Sequence, residues 1–558
     1  MKKVLTVLLA LAMALTMMSG IAMAESDREP ITITMLCLPA NVSGTMEGTW
    51  WTDYLFEELG ITLELVPGSS DDTKLQALMA ADALPDMVIF HNGTQVKNCV
   101  DAQLLLPLDD FAEIMPNAQK YMKEAMQYYA DSYATDGKCY AIPNDVGPRV
   151  KSSRLNWDTS IRWDLYKKVG MPEIKTAWDY LDVLKQMQDI YPENEDGQKV
   201  YAITAWNDWD SITMHNALQV SLLSGVDTGD QLGGKLPFAQ VDFNTMELTS
   251  ILRPDSAYID GLKWYFTANQ MGILDPDSMT QNWNTALEKG NAGRVLFGWW
   301  SWAVSGYNTP ERVNADEPAG FAPVLPSESN VPLWGNGIVG SGWSWAISKN
   351  AVNPERCAEY IDLMCNPDKT FILFNGPKGE TWDLNEEGKP YLNETGLLAR
   401  QDPTYLLAGG DTLGHGVSVI NSTPVSNGTV SELYGEPQSY TEWSTYVPTT
   451  TKLEDDVAAV TGYGKIIDFL LANGNYVEVP LANSFVAPLP DEIQLLKQQI
   501  GDIIATQSWL AVYAANEDEF NAIVEQMIAD AEELGVADII AYDEQAWADA
   551  VALAAKYE

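Results

Sequence analysis

Apolar and polar positions change period several times along the first hundred residues of the chain. Ile31 to Leu38 is a dense run of β-branched and apolar residues and predicts a buried strand. Ile61 to Val66 alternates apolar with polar side chains and predicts a second strand with one face in a core. Trp51 to Leu59, between them, reads as a helix that stops at Gly60, the residue type best suited to a left-handed C-terminal position. Asp71 to Ala81 predicts another helix, and Asp86 to Phe90 a short buried strand. Strands and helices in alternation predict an α/β chain with a parallel sheet.

The pattern continues. Thr176 is placed to cap a helix with Asp179 at its third position, and Trp178, Leu181, Leu184 and Met187 follow at helical spacing until Tyr191-Pro192 ends the run. Tyr201 to Ala205, Arg294 to Gly298 and Trp343 to Ser348 have strand length, and Tyr258 to Asn269 looks helical. Near the end, Asn516 and Glu519 resemble a capping box, and an apolar stripe from Phe520 to Leu534 stops at Gly535. A last helix is expected from about Asp543 to Tyr557. Gly409 to Thr451 is poor in helix formers and reads as long loops.

The amino terminus has a separate logic. Lys2 and Lys3 precede an uncharged stretch from Val4 to Met18, and Ala22-Met23-Ala24 supplies a small-x-small cleavage pattern. This layout predicts a signal peptide over 1–24, with Glu25 as the mature terminus. An uncleaved anchor is the alternative, because Val4 to Ala24 is nearly long enough to span a bilayer. A lipid anchor would need a cysteine after a small residue at the cleavage point. The first cysteine, Cys37, follows Leu36 in a predicted strand, so no lipobox cysteine is seen. The expectation is an exported protein, extracellular or periplasmic and soluble after cleavage.

Composition narrows the function. The 558 residues suit two or three domain equivalents, and 46% hydrophobic content is enough for packed cores. The formal charge is −45, and −47 once Lys2 and Lys3 are removed. Nucleic-acid binding needs clustered cations, so it is excluded as a class, and a strongly anionic ligand is disfavoured. Five scattered cysteines form no C-x-x-C pair, and three histidines are too few for a histidine-rich metal site.

Recognisable motifs are weak. Gly335 to Gly340 matches G-x-G-x-x-G by letter but runs into an extended stretch instead of a helix, so it lacks the context of a dinucleotide site. Asp383, Asn385, Glu387 and Glu394, with Gly388, fall at EF-hand spacing. Their flanks look like strands, so a β-turn is the better reading, and calcium is kept only as the weaker one. No other cofactor is expected. The acidic residues offer carboxylate pairs everywhere, which leaves no pair informative about hydrolysis. The clearest signal is 19 tryptophans, many beside Gly, Asn or Asp: Trp50-Trp51, Trp206 to Asp210, Trp299 to Trp302, Trp334 to Asn336 and Trp343 to Trp345. An indole plate suits the C–H face of a sugar, while amide and carboxylate groups meet its hydroxyls. More than half of these tryptophans should nevertheless be core.

Several segments, in order, resemble one family. Lys74 to Phe90 resembles its helix, turn, Pro-Asp and buried strand. Cys139 to Pro143 resembles its entry into a second lobe, and Ile161 to Leu165 with Val169 to Pro172 and Thr176 to Asp179 resembles its next helix pair. Gly272 to Pro276, Gly293 to Val295, Pro354 to Arg356 and Asn375 to Trp382 follow in register. The chain resembles the family 1 extracellular solute-binding proteins of ABC sugar importers, in particular their large oligosaccharide-binding members. The resemblance implies a two-lobed periplasmic-binding-protein-like fold of type II, each lobe a mixed, mostly parallel sheet flanked by helices, with a hinge between. It places 25–144 and 293–342 in lobe one, and 145–292 and 343–558, with the C-terminal helices, in lobe two. It further implies a non-enzymatic monomer that captures a carbohydrate and delivers it to permease subunits. The alternatives are a secreted glycan-active enzyme, either hydrolase or lyase, and a stand-alone glycan-binding module. The calcium loop carried by some members is broken here at Pro192.

The expected site follows from position at strand ends. Trp300 and Trp302 follow Arg294 to Gly298, a strand taken to pass between lobes. Trp206, Trp209 and Asp210 follow Tyr201 to Ala205 in the other lobe. Asn92 and Asp145 follow the strands ending at Phe90 and Pro143, and Trp50, Trp343 and Asn336 complete the set. N-terminal sequencing of the exported protein should return Glu25; a retained Met1, or recovery in membranes alone, contradicts the leader assignment.

Overall fold

The computed structural model describes residues 28–39, 44–68, 73–155, 157–228, 235–341, 343–402, 404–414, 423–487 and 489–557. The expected leader lies outside them. Among the described residues no helix is long and apolar enough to cross a membrane. The chain divides into two compact units, residues 1–150 with 336–447, and 151–335 with 448–558.

The first unit is built on a six-stranded sheet in the order Gly44–Met46, Ile61–Pro67, Ile31–Cys37, Met87–Phe90, Ser344–Ile347, Ile142–Pro143. Ile31–Cys37 runs parallel to both of its neighbours, with Ile31 opposite Ile61 and Met35 opposite Met87. Ser344–Ile347 is antiparallel to both of its own. Thr49 caps the helix Trp50–Leu59, and Gly60 ends it at φ 64°. Asp86 locks this sheet. One carboxylate oxygen accepts from Thr34 N at 2.8 Å and Thr34 Oγ1 at 2.6 Å, and the other from Val352 N at 2.8 Å. Trp345, fully buried, donates its indole N–H to Asn144 Oδ1 at 2.7 Å.

The second unit has a core around Trp163, Tyr180, Trp264, Tyr265 and Phe297. Ser160–Arg162 is flanked by Phe297–Gly298 and Phe321–Pro323, both antiparallel to it. Tyr201 to Ile203 is extended alongside. Tyr201 N donates to Arg294 O, Leu296 N to Ala202 O, and Ile203 N to Ile273 O. This sheet is therefore mixed, with its named strand pairs antiparallel, where the sequence suggested mostly parallel pairing. The C-terminal helices are Asp491–Val512, Glu517–Glu533 and Val536–Ala554. The last begins directly after Gly535, earlier than its composition suggested. All five cysteines are buried, and none of them is in a disulfide.

The expected lobe boundaries are corrected in three places, the shortest being residues 145–150, which belong to the first unit. Residues 293–335 belong to the second unit, because the apolar run at Leu296 to Trp299 pairs with Ser160–Arg162 and packs its rings against Trp264. Trp299 also donates to Tyr265 Oη at 2.8 Å. Residues 343–447 belong to the first unit, because Ser344–Ile347 finds its partners in Met87–Phe90 and Ile142–Pro143.

Two buried acids of the second unit make its stability pH-sensitive. Asp227, on the strand Val226–Thr228, is 4% exposed, with Oδ1 lacking a hydrogen-bond partner; burial pushes its carboxyl up to about 8. Asp543 is likewise raised to about 8 by burial, against the opposing pull of Phe238 N. A folded-state value above the unfolded one means that the native form keeps protons the unfolded chain has lost. Stability from these groups is therefore present at low pH and lost as pH rises toward 8. Melting curves taken across about pH 5 to 9 should show a smaller alkaline loss for Asp227→Asn than for the parent protein. Parallel curves for the two contradict this.

Candidate functional site

In the second unit, three turns bring five tryptophans together. The first follows the extended Tyr201 to Ala205 segment and carries Trp206 and Trp209. The second follows Phe297–Gly298 and carries Trp300 and Trp302. The third is the start of the helix Trp283–Asn291, which Asn282 caps by accepting from Thr285 N. Trp206 lies 4.7 Å from Trp283 and 5.1 Å from Trp209 between ring centroids, both edge to face. Trp209 and Trp302 are stacked at 6.2 Å and 27°, and Trp300 and Trp302 at 5.5 Å and 30°. His215 stacks on Trp300 at 5.9 Å. Trp206 and Trp300 are each 5% exposed, Trp209 and Trp283 are half-buried, and Trp302 is 50% exposed. The result is a graded surface, with two buried indoles backing three that reach solvent.

Carboxylates hold the turns that carry these rings. Asp158 accepts from Ser301 N at 2.8 Å and from the Ser301 hydroxyl, fixing the residue between Trp300 and Trp302. Burial raises the Asp158 carboxyl above its ordinary value, while the Ser301 bonds pull the other way. Asp208 Oδ1 accepts from Trp283 N at 2.8 Å and ties the first turn to the third. Asp210 accepts from His215 N at 2.8 Å on one oxygen and from Trp509 Nε1 at 2.5 Å on the other. Asp210 thus braces the framework, where the sequence suggested a partner for ligand hydroxyls.

The structure brings Trp206, Trp209, Trp300 and Trp302 together as expected, but all four are in one unit. Their assignment to opposite lobes is corrected by the strand pairing given above. Sequence reasoning missed Trp283, His215 and Asp158. Trp283 carried a usable signal, since it sits between Asn282 and Asn284 at the start of a capped helix.

In the first unit, Asn92, Asp145 and Trp343 leave the same edge of the six-stranded sheet. Ser344 pairs with Phe90 on one side and Pro143 on the other, so Trp343 enters where the two other strands end. Asn92 caps the helix Gly93–Asp101 through Gln95 N. His91 lies 6.1 Å from Trp343, and Trp343 O accepts from Asn144 N at 2.8 Å. Asp145 adopts φ 56°, a left-handed conformation that Asp tolerates better than most residues. Burial raises its carboxyl, and the charge of Arg149 and the Ser341 hydroxyl oppose that rise. Asn336 is exposed and precedes Gly337, which exchanges backbone hydrogen bonds with Gly147 two residues past Asp145. Trp50 belongs elsewhere, in a cluster with Ala399, Leu407, Leu413 and Tyr405.

The EF-hand letter match is a β-hairpin. Trp382–Leu384 pairs antiparallel with Pro390–Leu392, and Gly388 turns at φ 76°. Asn385 Oδ1 accepts from Glu387 N and Lys389 N, so the turn itself occupies that oxygen. Asp383 lies on the first strand, while Glu394 starts the following helix. Among the described residues no three His, Cys, Asp or Glu are grouped to hold a metal.

Comparison with known proteins places this architecture. The fructooligosaccharide ABC transporter substrate-binding protein FusA of Streptococcus pneumoniae is 24% identical over 343 residues, 56% of this chain and 57% of that protein. The matched stretch is therefore under two thirds of that relative's length. The solved structure of S. pneumoniae FusA in complex with kestose superposes with a TM-score of 0.59 at 17% identity, covering 94% of this chain and 100% of that one. A solute-binding protein described as binding HMO, from Bifidobacterium longum infantis, gives 0.60 at 17% identity, covering 93% and 98%. These likenesses establish the two-lobed α/β solute-binding fold. The family model for bacterial extracellular solute-binding proteins matches residues 43–370, more than half of the chain, and the chain belongs to that family.

Proposed function

We propose that this protein is the substrate-capturing component of an ABC importer, that it works outside the cytoplasmic membrane as a monomer, and that its ligand is an oligosaccharide. The observation that carries the reading is the graded tryptophan surface of the second unit, on which Trp302 is half exposed while Trp206 and Trp300 are buried beneath. An exposed indole costs solvation unless a ligand covers it, and sugar C–H faces are the natural cover. FusA and the Bifidobacterium protein, whose names refer to oligosaccharides, support the ligand class by likeness. Within the first unit itself, Asn92 and Asp145 are polar groups that follow strand ends at one edge of its sheet.

The ligand leaves chemically unchanged. The carboxylates nearest the tryptophan surface, Asp158, Asp208 and Asp210, are each hydrogen-bonded to framework donors. They are committed to holding the loops, whereas a glycosidase needs a pair of carboxyl groups facing the scissile bond.

A thermal-shift screen over an oligosaccharide panel should find a glycan class that raises the melting temperature. Ligand at a hundred times its dissociation constant adds about 2.7 kcal/mol of stability. The glycan should be recovered intact by mass spectrometry after long incubation. A response to peptides or phosphate esters alone, or turnover beyond stoichiometry, contradicts the reading.

The same assay locates the site. Trp302→Ala should cost about 1–3 kcal/mol of binding, by analogy with aromatic stacking on bases, and leave the melting temperature nearly unchanged. Trp178 is half-buried against the core, with its indole N–H on Asp260 at 3.2 Å, so Trp178→Ala should lower the melting temperature and spare affinity. The opposite assignment of effects would show that Trp302 is a packing residue.

A further inference from the structure

Beneath the tryptophan surface of the second unit lies a small, partly enclosed cavity. Trp206, Trp283 and Trp300 roof it, and Gly290, Ala286 and Val304 are among the residues that line it. It has room for a group about the size of a methyl or a water molecule. None of its lining residues is charged. The Thr204 hydroxyl in the lining is already engaged, donating to Asp275 Oδ2 at 3.0 Å and accepting from Gln281 Nε2 at 2.7 Å.

Two further observations bear on what fills this space. Trp206 is 5% exposed, and its indole N–H is buried without an acceptor. An unmade hydrogen bond of this kind is costly, so the group that completes the site should bring an acceptor. Gly290 is buried in the helix Trp283–Asn291, yet a Cβ built on it meets nothing within 4 Å. The helix therefore leaves open space where any other residue would place carbon.

A water molecule suits the cavity poorly, because it needs two to four polar partners and the lining is mostly apolar. An anionic group would find no cation there. A sugar hydroxyl has little apolar surface to bury. An acetyl group meets both demands, with a methyl for the apolar walls and a neutral carbonyl oxygen for the Trp206 N–H.

Resting on the oligosaccharide reading above, we propose that this cavity is an acetyl-recognition pocket, and that the preferred ligand carries an acetylated sugar seated on the tryptophan surface. The methyl enters toward Gly290 and Ala286, and the Trp206 N–H donates to the acetyl carbonyl.

The test is calorimetry on matched saccharides with and without acetyl groups. Chitobiose against cellobiose and N-acetyllactosamine against lactose probe an N-acetyl group. An acetylated xylo-oligosaccharide against its deacetylated form probes an O-acetyl group. In at least one pair the acetylated member should bind on the order of tenfold more tightly, from one added hydrogen bond and one buried methyl. Gly290→Val, which fills the space, and Trp206→Phe, which removes the N–H but keeps a ring, should each bring the acetylated-to-deacetylated ratio close to unity. Melting curves confirm folding, and Gly290→Ala provides a milder filling should valine disturb the helix. Equal affinity within every pair, or a preference that survives both substitutions, overturns the pocket. Binding of other glycans and none of these overturns the pocket alone, whereas a protein that binds no glycan overturns the functional reading with it.

Discussion

The tryptophan surface depends on carboxylates that hold N–H and hydroxyl donors in short turns. Five large rings meeting at 4.7–6.2 Å cannot be ordered by apolar packing alone, because three of them reach solvent. Asp158 on Ser301, Asp208 on Trp283 and Asp210 on His215 and Trp509 supply the missing order. Hydrogen bonds to charged acceptors are stronger and more directional than neutral ones, so each turn is held at a defined angle to the next.

This arrangement gives part of the chain's acidity a structural use. A charge of −45 reads first as solubilising surface, and most of it is. Some of the acids nevertheless sit deep in the architecture. Asp86 joins two strands and the segment that follows a third, and Asp362 receives Asn117 N and Ala118 N at 2.8 and 2.9 Å. In the second unit, Asp275 pairs with Lys289 at 2.7 Å, with side-chain exposures of 1% and 9%. A ligand that offered another carboxylate to the tryptophan surface would meet Asp158, Asp208 and Asp210 around it.

The chain's local signals were legible and its long-range pairings were not. Gly60 ends its helix as its type suggested, and Met87–Phe90 is a buried strand because four apolar residues in a row have no other stable place. Two of the tryptophan clusters, Trp206 to Asp210 and Trp299 to Trp302, fall on turns that come together, whereas Trp345 is a buried strand residue and Trp50 and Trp51 lie in a helix. What could not be read was which unit each returning strand joins. Phe297–Gly298 is two residues long, and nothing in two residues names Ser160–Arg162 as the partner. Asp210 looked like a ligand contact because it follows Trp209. Its role as a brace needs Trp509, on the long helix Asp491–Val512, which the sequence pattern did not single out. Trp283 was overlooked because it stands alone in the sequence and meets Trp206, Trp209 and Trp302 only in the folded chain.

The central claim is that Trp209, Trp283 and Trp302 form a surface for sugar rings while Trp264 and Trp345 are core. Incorporation of 5-fluorotryptophan, with resonances assigned by single Trp→Phe substitutions, separates the two groups in one glycan titration. The account predicts shifts of the Trp209, Trp283 and Trp302 fluorine signals that saturate together, with Trp264 and Trp345 unmoved. Saturable glycan binding that leaves those three signals in place would contradict it.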